Sequence, residues 1–296
     1  EMTDTVLLIQ LLILGISLGG VYALMGSGLT IVYGVMRIVN ISHAIIMMIA
    51  SYLTYFAFQL YGVDPIQSLV VSMPIMYVVG VLIYKAFFSG LSKDARFGEL
   101  TVLLTFAIAL IAEGTLGYFF TNTYRSASPT YATSAFLFGD IFLPKGQFFA
   151  TVLSIILIFS LWAFLRYTRM GNAIRATMQN TTAAQIVGIN IEKASVASFG
   201  IGIALGGAAG SLQTFLFPFY PGKHWEWIAI LLSLIVLGGM GSLMGALVGA
   251  MILGISSTFV SHFFGPTWAP ITFFLALFLI LLFRPQGLFG QKMEAE

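Results

Sequence analysis

Residues 5–34, TVLLIQLLILGISLGGVYALMGSGLTIVYG, contain no charged side chain and exceed the roughly 20 apolar residues that carry a helix across a bilayer. Seven more apolar runs follow, at residues 41–60, 66–84, 100–121, 148–165, 194–217, 227–264 and 268–283. The runs are continuous, whereas the strands of a transmembrane barrel alternate apolar and polar residues. The sequence therefore predicts an all-α polytopic membrane protein.

Two of the runs are too long for one straight crossing. The run at residues 227–264 contains the turn signal Gly238-Gly239-Met240-Gly241-Ser242, so we expect two crossings or a re-entrant pair there. Residues 5–34 contain six glycines, and we expect one crossing followed by a broken piece. Together the runs predict about eight or nine transmembrane helices, some of them broken or re-entrant.

A short internal repeat is visible in two of the runs. Residues 15–20 (GISLGG) resemble residues 202–207 (GIALGG), and the two copies would cross the membrane in opposite directions. Such a pair is typical of the inverted repeats on which many transporters are built. A chance match in a glycine-rich membrane protein is the alternative, so the sequence indicates a possible inverted repeat only.

The distribution of positive charge predicts how the chain is oriented. With residues 166–193 placed in the cytoplasm, alternation puts ten of the thirteen Lys and Arg side chains on that side. Only Arg125, Lys145 and Lys223 fall on the other side. Because cytoplasmic loops carry an excess of Lys and Arg, we expect an external N-terminus and a cytoplasmic C-terminus.

The longest polar segment is residues 170–193, MGNAIRATMQNTTAAQIVGINIEK. Asn180 and the two threonines after it resemble a helix cap, followed by a short helix at residues 183–187 that ends at Gly188. A short helix held between two membrane helices suits a socket in a cytoplasmic partner. The alternative is a loop made basic only to fix the topology. We predict a single transmembrane domain over residues 1–296, with this docking segment at about 167–193.

Asn40, Ser42 and His43 stand just before a long apolar run. Asn40 or Ser42 is a candidate N-cap, and the start of a helix offers free N–H groups and partial positive charge. If this helix starts near the bilayer midplane, it is suited to receive a substrate carboxylate. If it starts at the interface, these residues only cap the helix.

Glu113 is the carboxylate that lies inside an apolar run. An ionisable side chain within the membrane is a functional candidate by default. Three roles are open for Glu113: a hydrogen bond to a neighbouring helix, the lining of a translocation path, and titration for proton coupling. Gly114 and Gly117 beside it would let another helix come close.

Composition and motif searches exclude several kinds of chemistry. The 296 residues include no cysteine, and 8% of them are charged, against about a quarter in soluble domains. His43, His224 and His262 are far apart and lack a second ligand at helical spacing, so we expect no metal. There is no phosphate-binding loop, nucleophile–base set or basic nucleic-acid face. We expect no enzymatic activity, no cofactor and no nucleic-acid partner.

Five further stretches form a recognisable pattern over nearly the whole chain: residues 19–24 (GGVYAL), 28–40 (GLTIVYGVMRIVN), 174–190 (IRATMQNTTAAQIVGIN), 238–254 and 284–289 (RPQGLF). In order and spacing, they resemble the LivH-type permeases of branched-chain amino acid ABC importers. The resemblance implies a permease subunit that moves branched-chain or related amino acids inward across the cell membrane, using ATP hydrolysed by partner subunits.

The resemblance also implies partners and the residues that meet them. It implies a second, LivM-like permease subunit, two cytoplasmic ATP-binding subunits, an external solute-binding protein, an amino-acid substrate and surrounding membrane lipid. Coupling to the ATPase is expected at Arg175, Ala176, Gln179, Asn180, Ala183, Ala184, Gly188 and Ile189. The translocation path is expected at Asn40, Ser42, His43 and Glu113.

The chain departs from the family pattern at one place. The family usually has Asn-Phe-Ala-His-Gly followed by an acid, whereas this chain has Asn40, Ile41, Ser42, His43 and Ala44, followed by Ile45. Permeases of this type also serve urea and short amides. A urea or short-amide permease is therefore one alternative. An ATP-independent secondary transporter or channel, with Glu113 as its titratable element, is another.

Overall fold

The computed structural model describes residues 4–91 and 96–290, and this part of the chain is almost entirely helical. Its α-helices are α1 Asp4–Met36, α2 His43–Tyr61, α3 Leu69–Ile83, α4 Phe97–Phe120, α5 Lys145–Tyr167, α6 Arg169–Gln179, α7 Thr181–Ile186, α8 Ile191–Leu216, α9 His224–Gly238, α10 Leu243–Phe264 and α11 Ala269–Phe283. A π-helical turn, Tyr84–Phe88, extends α3. The predicted all-α class is confirmed.

Eight of the described helices are long and apolar enough to cross a membrane, as the sequence predicted, when the π-helical turn is counted with α3 and the 3₁₀ turn Pro266–Trp268 with α11. The helix α9 is not among them. Its 15 residues extend over about 22 Å, which is less than the roughly 30 Å of a hydrocarbon core. Because α9 packs against α1, α10 and α11, this short helix is held inside the bundle.

The turn predicted within residues 227–264 is confirmed. Helix α9 ends at Gly238 and α10 begins at Leu243. Gly239 and Gly241 have φ angles of 101° and 84°, a region that side chains with a Cβ rarely adopt. The hydroxyl oxygen of Ser242 accepts a hydrogen bond from the Gly245 N–H and caps α10.

The predicted break in residues 5–34 is wrong, because α1 is one unbroken helix of 33 residues. Its glycines serve close packing instead. A Cβ on Gly15 would lie 2.6 Å from the Ile255 Cα, and one on Gly28 would lie 2.4 Å from the Gly202 carbonyl oxygen. Small residues that allow such backbone contact favour helix association in lipid, and here they outweigh the weak helix propensity of glycine.

Helix α8 is the centre of the bundle. Of the residues in its most apolar stretch, 89% are buried, more than in any other of the candidate spans. The Ser211 hydroxyl lies 2.8 Å from both the Thr54 and the Ser72 hydroxyls, which joins α8 to α2 and α3. The Ser51 hydroxyl donates to the Gly210 carbonyl at 2.9 Å. Polar side chains therefore bind the central helix to its neighbours, as in other membrane bundles.

Two connecting segments lead into helices that start inside the protein: residues 37–42, and residues 217–223, which end in a 3₁₀ turn at Pro221–Lys223. Helix α2 starts at His43 and α9 starts at His224, and both histidines are buried. The His43 ring packs where a Cβ on Gly28 or Gly206 would stand. Gly28 precedes the end of α1 at Met36 by eight residues, or about 12 Å of helix. The chain therefore turns back into the bundle before α2 begins.

The sequence did not predict a β-hairpin. Ala135–Phe138 and Ile141–Pro144 pair in antiparallel register, with Gly139 at a φ of 63° in the connecting turn. The Phe142 N–H donates to Gln10 Oε1 at 2.8 Å, which fixes the hairpin to the start of α1. A two-stranded hairpin is marginal alone, so this anchoring to helices supports it.

The two similar hexapeptides have different neighbours. Gly15 and Gly19 pack on α10, at Ile255 and Met251. Gly207 packs on Met76 of α3. The inverted repeat stays a prediction.

Candidate functional site

The polar segment folds into two short helices, α6 and α7, and side-chain caps mark each boundary. The Thr168 hydroxyl accepts the Gly171 N–H, Asn180 Oδ1 accepts the Ala183 N–H, and Asn190 Oδ1 accepts the Lys193 N–H, each at 2.9 Å. The predicted cap at Asn180 and the short helix after it are therefore present, although the helix starts at Thr181 and a preceding helix, α6, was not predicted.

The end of α5 anchors α6. Arg175 Nε donates to the Leu165 carbonyl at 2.8 Å, and its Nη2 donates to Asn172 Oδ1 at 2.6 Å. A cation at the C-terminal end of α5 also complements the helix dipole. Gly171 packs directly on the Leu165 backbone. Arg175 therefore holds the polar segment to the bundle.

The expected coupling residues divide into a surface set and a supporting set. Gln179, Asn180, Ala183 and Gly188 are exposed, Arg175, Ala176 and Ile189 are half-buried, and Ala184 is buried. Gly188 ends this turn with a φ of 82°. The surface set is accessible to a partner, whereas Ala184 packs on the buried side of α7.

Two apolar residues at the end of α7, its last residue and the C-cap that follows, were missed. Ile186 and Val187 are 80% and 74% exposed, although they stand in an otherwise polar segment. Exposed apolar side chains clustered on a polar surface mark an interaction site. The signal in the sequence was an apolar pair immediately before the glycine that ends the helix.

The polar segment is in contact with the end of α1. Arg37 Nη2 donates to the Met178 carbonyl at 2.9 Å, and a Cβ on Gly34 would collide with the Met178 side chain. The segment also continues directly into α8 through the Asn190 cap. The polar segment is therefore joined to both α1 and α8, which meet at Gly28 and Gly202.

Asn40, Ser42 and His43 lie inside the bundle and are 0%, 0% and 1% exposed. Asn40 Oδ1 accepts hydrogen bonds from the Ser42 N–H at 3.1 Å and the Ser42 hydroxyl at 2.7 Å. The Ile41 N–H donates to the Thr105 hydroxyl of α4 at 3.3 Å. Ser42 occupies the N-cap position of α2, as the sequence indicated, but its side chain makes no capping hydrogen bond, because its hydroxyl donates to Asn40 instead.

Glu113 is half-buried on α4, and its carboxylate accepts a hydrogen bond at Oε2 from Trp225 Nε1 at 3.0 Å. Of the roles open to Glu113, a hydrogen bond to a neighbouring element is therefore present. Glu113 follows Thr105 by eight residues, or about 12 Å along α4. The four residues expected on the translocation path therefore form two separate sites. Three lie at the start of α2, and Glu113 lies near the start of α9.

Aromatic rings surround the Glu113 site. The rings of Tyr124 and Tyr220 are 4.7 Å apart in an edge arrangement, and those of Phe106 and Trp225 are 5.5 Å apart. Burial, and then the nearby Tyr124, Glu226 and Glu113, raise the pKa of Tyr220 above its usual value. The Tyr220 side chain therefore stays a neutral phenol.

Within residues 4–91 and 96–290, no three His, Cys, Asp or Glu side chains gather where a metal ion could bind. The three histidines remain separate. His224 Nδ1 lies 2.9 Å from the Pro221 carbonyl, which ties that ring to its own turn.

Comparison with known proteins gives a match along most of the chain. Residues 11–283 match the family model of the branched-chain amino acid transport system permease component. The chain is 28% identical to the branched-chain amino acid permease BraD of Pseudomonas aeruginosa over 294 residues, which cover 96% of each protein. It is 29% identical to LivH of Escherichia coli K12 over 298 residues, or 94% of each.

A second permease of Escherichia coli is also similar. The chain is 27% identical to LivM, named as a high-affinity branched-chain amino acid transport system permease protein, over 188 residues. That stretch covers 61% of this chain and 43% of LivM. These relatives are transport proteins and not enzymes.

Proposed function

This chain belongs to the family of permease components of branched-chain amino acid transport systems, and on that basis we propose that it is the membrane-spanning permease subunit of an ABC importer for branched-chain amino acids. The match to the family model over residues 11–283 carries this proposal. The relatives named for this transport match over nearly their full length. The whole chain, residues 1–296, acts as one transmembrane domain with a coupling segment at about 167–193.

ATP is hydrolysed by two partner subunits that bind the polar segment. The chain contains no phosphate-binding loop of its own. Ile186 and Val187 insert into an apolar socket of the ATP-binding subunit, and Gln179, Asn180, Ala183 and Gly188 surround them. Arg175, Ala176, Ala184 and Ile189 hold this surface in place.

Movement of α7 switches the bundle between outward and inward access. α7 leads into α8 through the Asn190 cap, and α6 holds α1 through the bond between Arg37 and Met178. Helices α1 and α8 meet at Gly28 and Gly202, beside the His43 ring. A shift of α1 against α8 therefore acts directly on the start of α2, where packed elements have two discrete arrangements.

The translocation path passes two polar places. Asn40, Ser42 and His43 form the first, where α2 begins inside the bundle. Glu113 forms the second, near the start of α9. Helix starts within a membrane protein provide N–H groups that favour anionic substrate groups, which is suited to the carboxylate of an amino acid.

The subunit works in the cell membrane with the N-terminus outside and the C-terminus in the cytoplasm. The contact between Arg37 and Met178 supports this orientation, because it puts two of the basic segments on the same side. A second, LivM-like permease completes the membrane core, and an external solute-binding protein delivers the amino acid. The likeness of this chain to LivM itself supports a paired arrangement of similar subunits.

Reconstitution tests the function. The chain is incorporated into proteoliposomes with a LivM-like permease, the two ATP-binding subunits and the binding protein, and uptake of labelled leucine is measured. We expect uptake that requires ATP and every component, and no ATPase activity from the chain alone. Leucine uptake by the chain alone without nucleotide would instead establish an ATP-independent transporter.

A further inference from the structure

Within the described residues, no Lys or Arg nitrogen lies within 4 Å of the Glu113 carboxylate. Lys223, in the turn that precedes α9, lies 4.0 Å from Glu226 instead. Taking a carboxylate out of water is costly unless it is paired or hydrogen-bonded. The site is therefore suited to a cation that arrives from elsewhere.

One carboxylate oxygen of Glu113 accepts a hydrogen bond, and the other accepts none from the residues that the structure describes. Trp225 Nε1 donates to Oε2 at 3.0 Å. Oε1 faces the turn that precedes α9, where a Cβ on Gly222 would lie 3.4 Å from it. The same Cβ would lie 3.1 Å from Tyr220 Cε2, so Oε1 and the edge of the Tyr220 ring border one small space that the absence of a side chain at Gly222 leaves. Trp225 thus acts as a positioning residue that turns Oε1 toward that space.

The surroundings favour an ammonium group over a metal ion. Trp225 bonds the carboxylate, Tyr220 lies beside it, and Tyr124 packs against Tyr220. The faces of aromatic rings attract organic cations. Among the residues that the structure describes, Glu113 belongs to no group of three or more His, Cys, Asp or Glu side chains that could hold a metal ion. On α4, Gly114 is exposed, and a Cβ there would meet nothing within 4 Å. The site is therefore open on one side.

We propose that Glu113 binds the ammonium group of the amino acid as it enters the bundle, with the aromatic rings of Tyr124, Tyr220 and Trp225 around it. This inference rests on the proposed transport function and names the substrate group that the site takes. It makes the permease itself selective, because a carboxylic acid without an ammonium group has no favourable contact with Glu113 and is repelled by it.

Cysteine protection tests the site. The chain has no cysteine, so Gly114→Cys places one thiol beside Glu113, and Gly98→Cys places a matched exposed thiol at the other end of α4, also with nothing within 4 Å. Labelling by a small water-soluble methanethiosulfonate is followed on this subunit in the assembled complex. The competing molecules are leucine, isopentylamine, which lacks the carboxylate, and 4-methylpentanoate, which lacks the ammonium group.

We expect leucine and isopentylamine to protect Gly114→Cys, 4-methylpentanoate not to protect it, and Gly98→Cys to be labelled equally throughout. Adding Glu113→Gln should raise the half-protecting leucine concentration at least tenfold, and Trp225→Phe should raise it less. Equal protection with and without the Glu113 carboxylate would overturn the inference. Protection by 4-methylpentanoate would also overturn it. So would a thiol at position 114 that is labelled in the isolated subunit but shielded in the complex, because a partner subunit would then cover Glu113.

Wild-type transport separates the two proposals. If the reconstituted complex takes up leucine but Glu113→Gln transports at the wild-type rate, only the ammonium site is refuted. If the wild-type complex takes up no leucine, the transport function itself fails.

Discussion

Arg37 donates a hydrogen bond from Nη2 to the backbone carbonyl of Met178 across 2.9 Å, so the end of α1 is joined to the polar segment. The two residues are 141 positions apart in the chain, and Arg37 adopts a φ of 56°, which is unusual for a residue with a side chain. This contact joins α1 to the polar segment, in addition to the connections through α5 on one side and α8 on the other.

Arg37→Gln should lower the amount of leucine transported per ATP hydrolysed, because α1 then loses its bond to α6. A single exposed hydrogen bond contributes about 1 kcal/mol, so we expect a loss of a few-fold. The ratio of uptake to phosphate release measures it. Arg166→Gln is the control: Arg166 is exposed on the same side and has no hydrogen bond among the described contacts. Equal ratios in both variants would refute the linkage.

Val187→Asp, alone or with Ile186→Asp, should weaken binding of the ATP-binding subunits at least tenfold. Both side chains are largely exposed, so a charge there disturbs the apolar contact and not the fold. Co-purification of the ATP-binding subunits with the permease is the readout. Gln185→Glu, on an exposed neighbour, should retain them; normal retention in Val187→Asp would argue against an apolar socket.

Gly188→Val should uncouple ATP hydrolysis from transport while membrane insertion stays normal. Gly188 has a φ of 82°, and a β-branched residue is strained there, at a cost of about 1–2 kcal/mol. The backbone between α7 and α8 would then adopt a different conformation. Gly188→Asn should remain coupled, because asparagine tolerates this conformation. Coupled transport in the valine variant would show that the turn geometry is unimportant.

Gly28→Ala should destabilise the subunit by about 1–3 kcal/mol, because overpacking forces backbones apart. The new Cβ would lie 2.4 Å from the Gly202 carbonyl oxygen. Thermal unfolding in detergent measures the change in Tm. Gly114→Ala, where a Cβ meets nothing within 4 Å, should leave Tm unchanged or slightly higher, since alanine favours helix. A normal Tm for Gly28→Ala would mean that α1 and α8 are loosely packed.

Local signals in the sequence predicted the elements that depend on local chemistry. The turn after Gly238 follows from glycines that need positive φ, and the cap at Asn180 follows from a side chain that bonds the N–H of Ala183. Continuous apolar runs predicted the membrane helices, because lipid leaves no other way to satisfy their backbone groups.

Features that depend on distant neighbours were not predictable. The six glycines of α1 suggested a break, but whether a glycine ends a helix or packs against one is decided by partners such as Gly202 and Ile255. The return of residues 37–42 into the bundle, which buries Asn40 and His43, has no periodic signature. The contact between Glu113 and Trp225 likewise joins residues 112 positions apart.

Cross-linking from α7 tests most directly whether ATP-binding subunits drive the bundle through the polar segment. Val187→Cys introduces a thiol into a chain without cysteine, and the assembled complex is treated with a short thiol- and amine-reactive cross-linker, with and without ATP. We predict a cross-link to an ATP-binding subunit whose yield changes when ATP binds. A cross-link to the external binding protein, or to no ATP-binding subunit, would contradict this coupling.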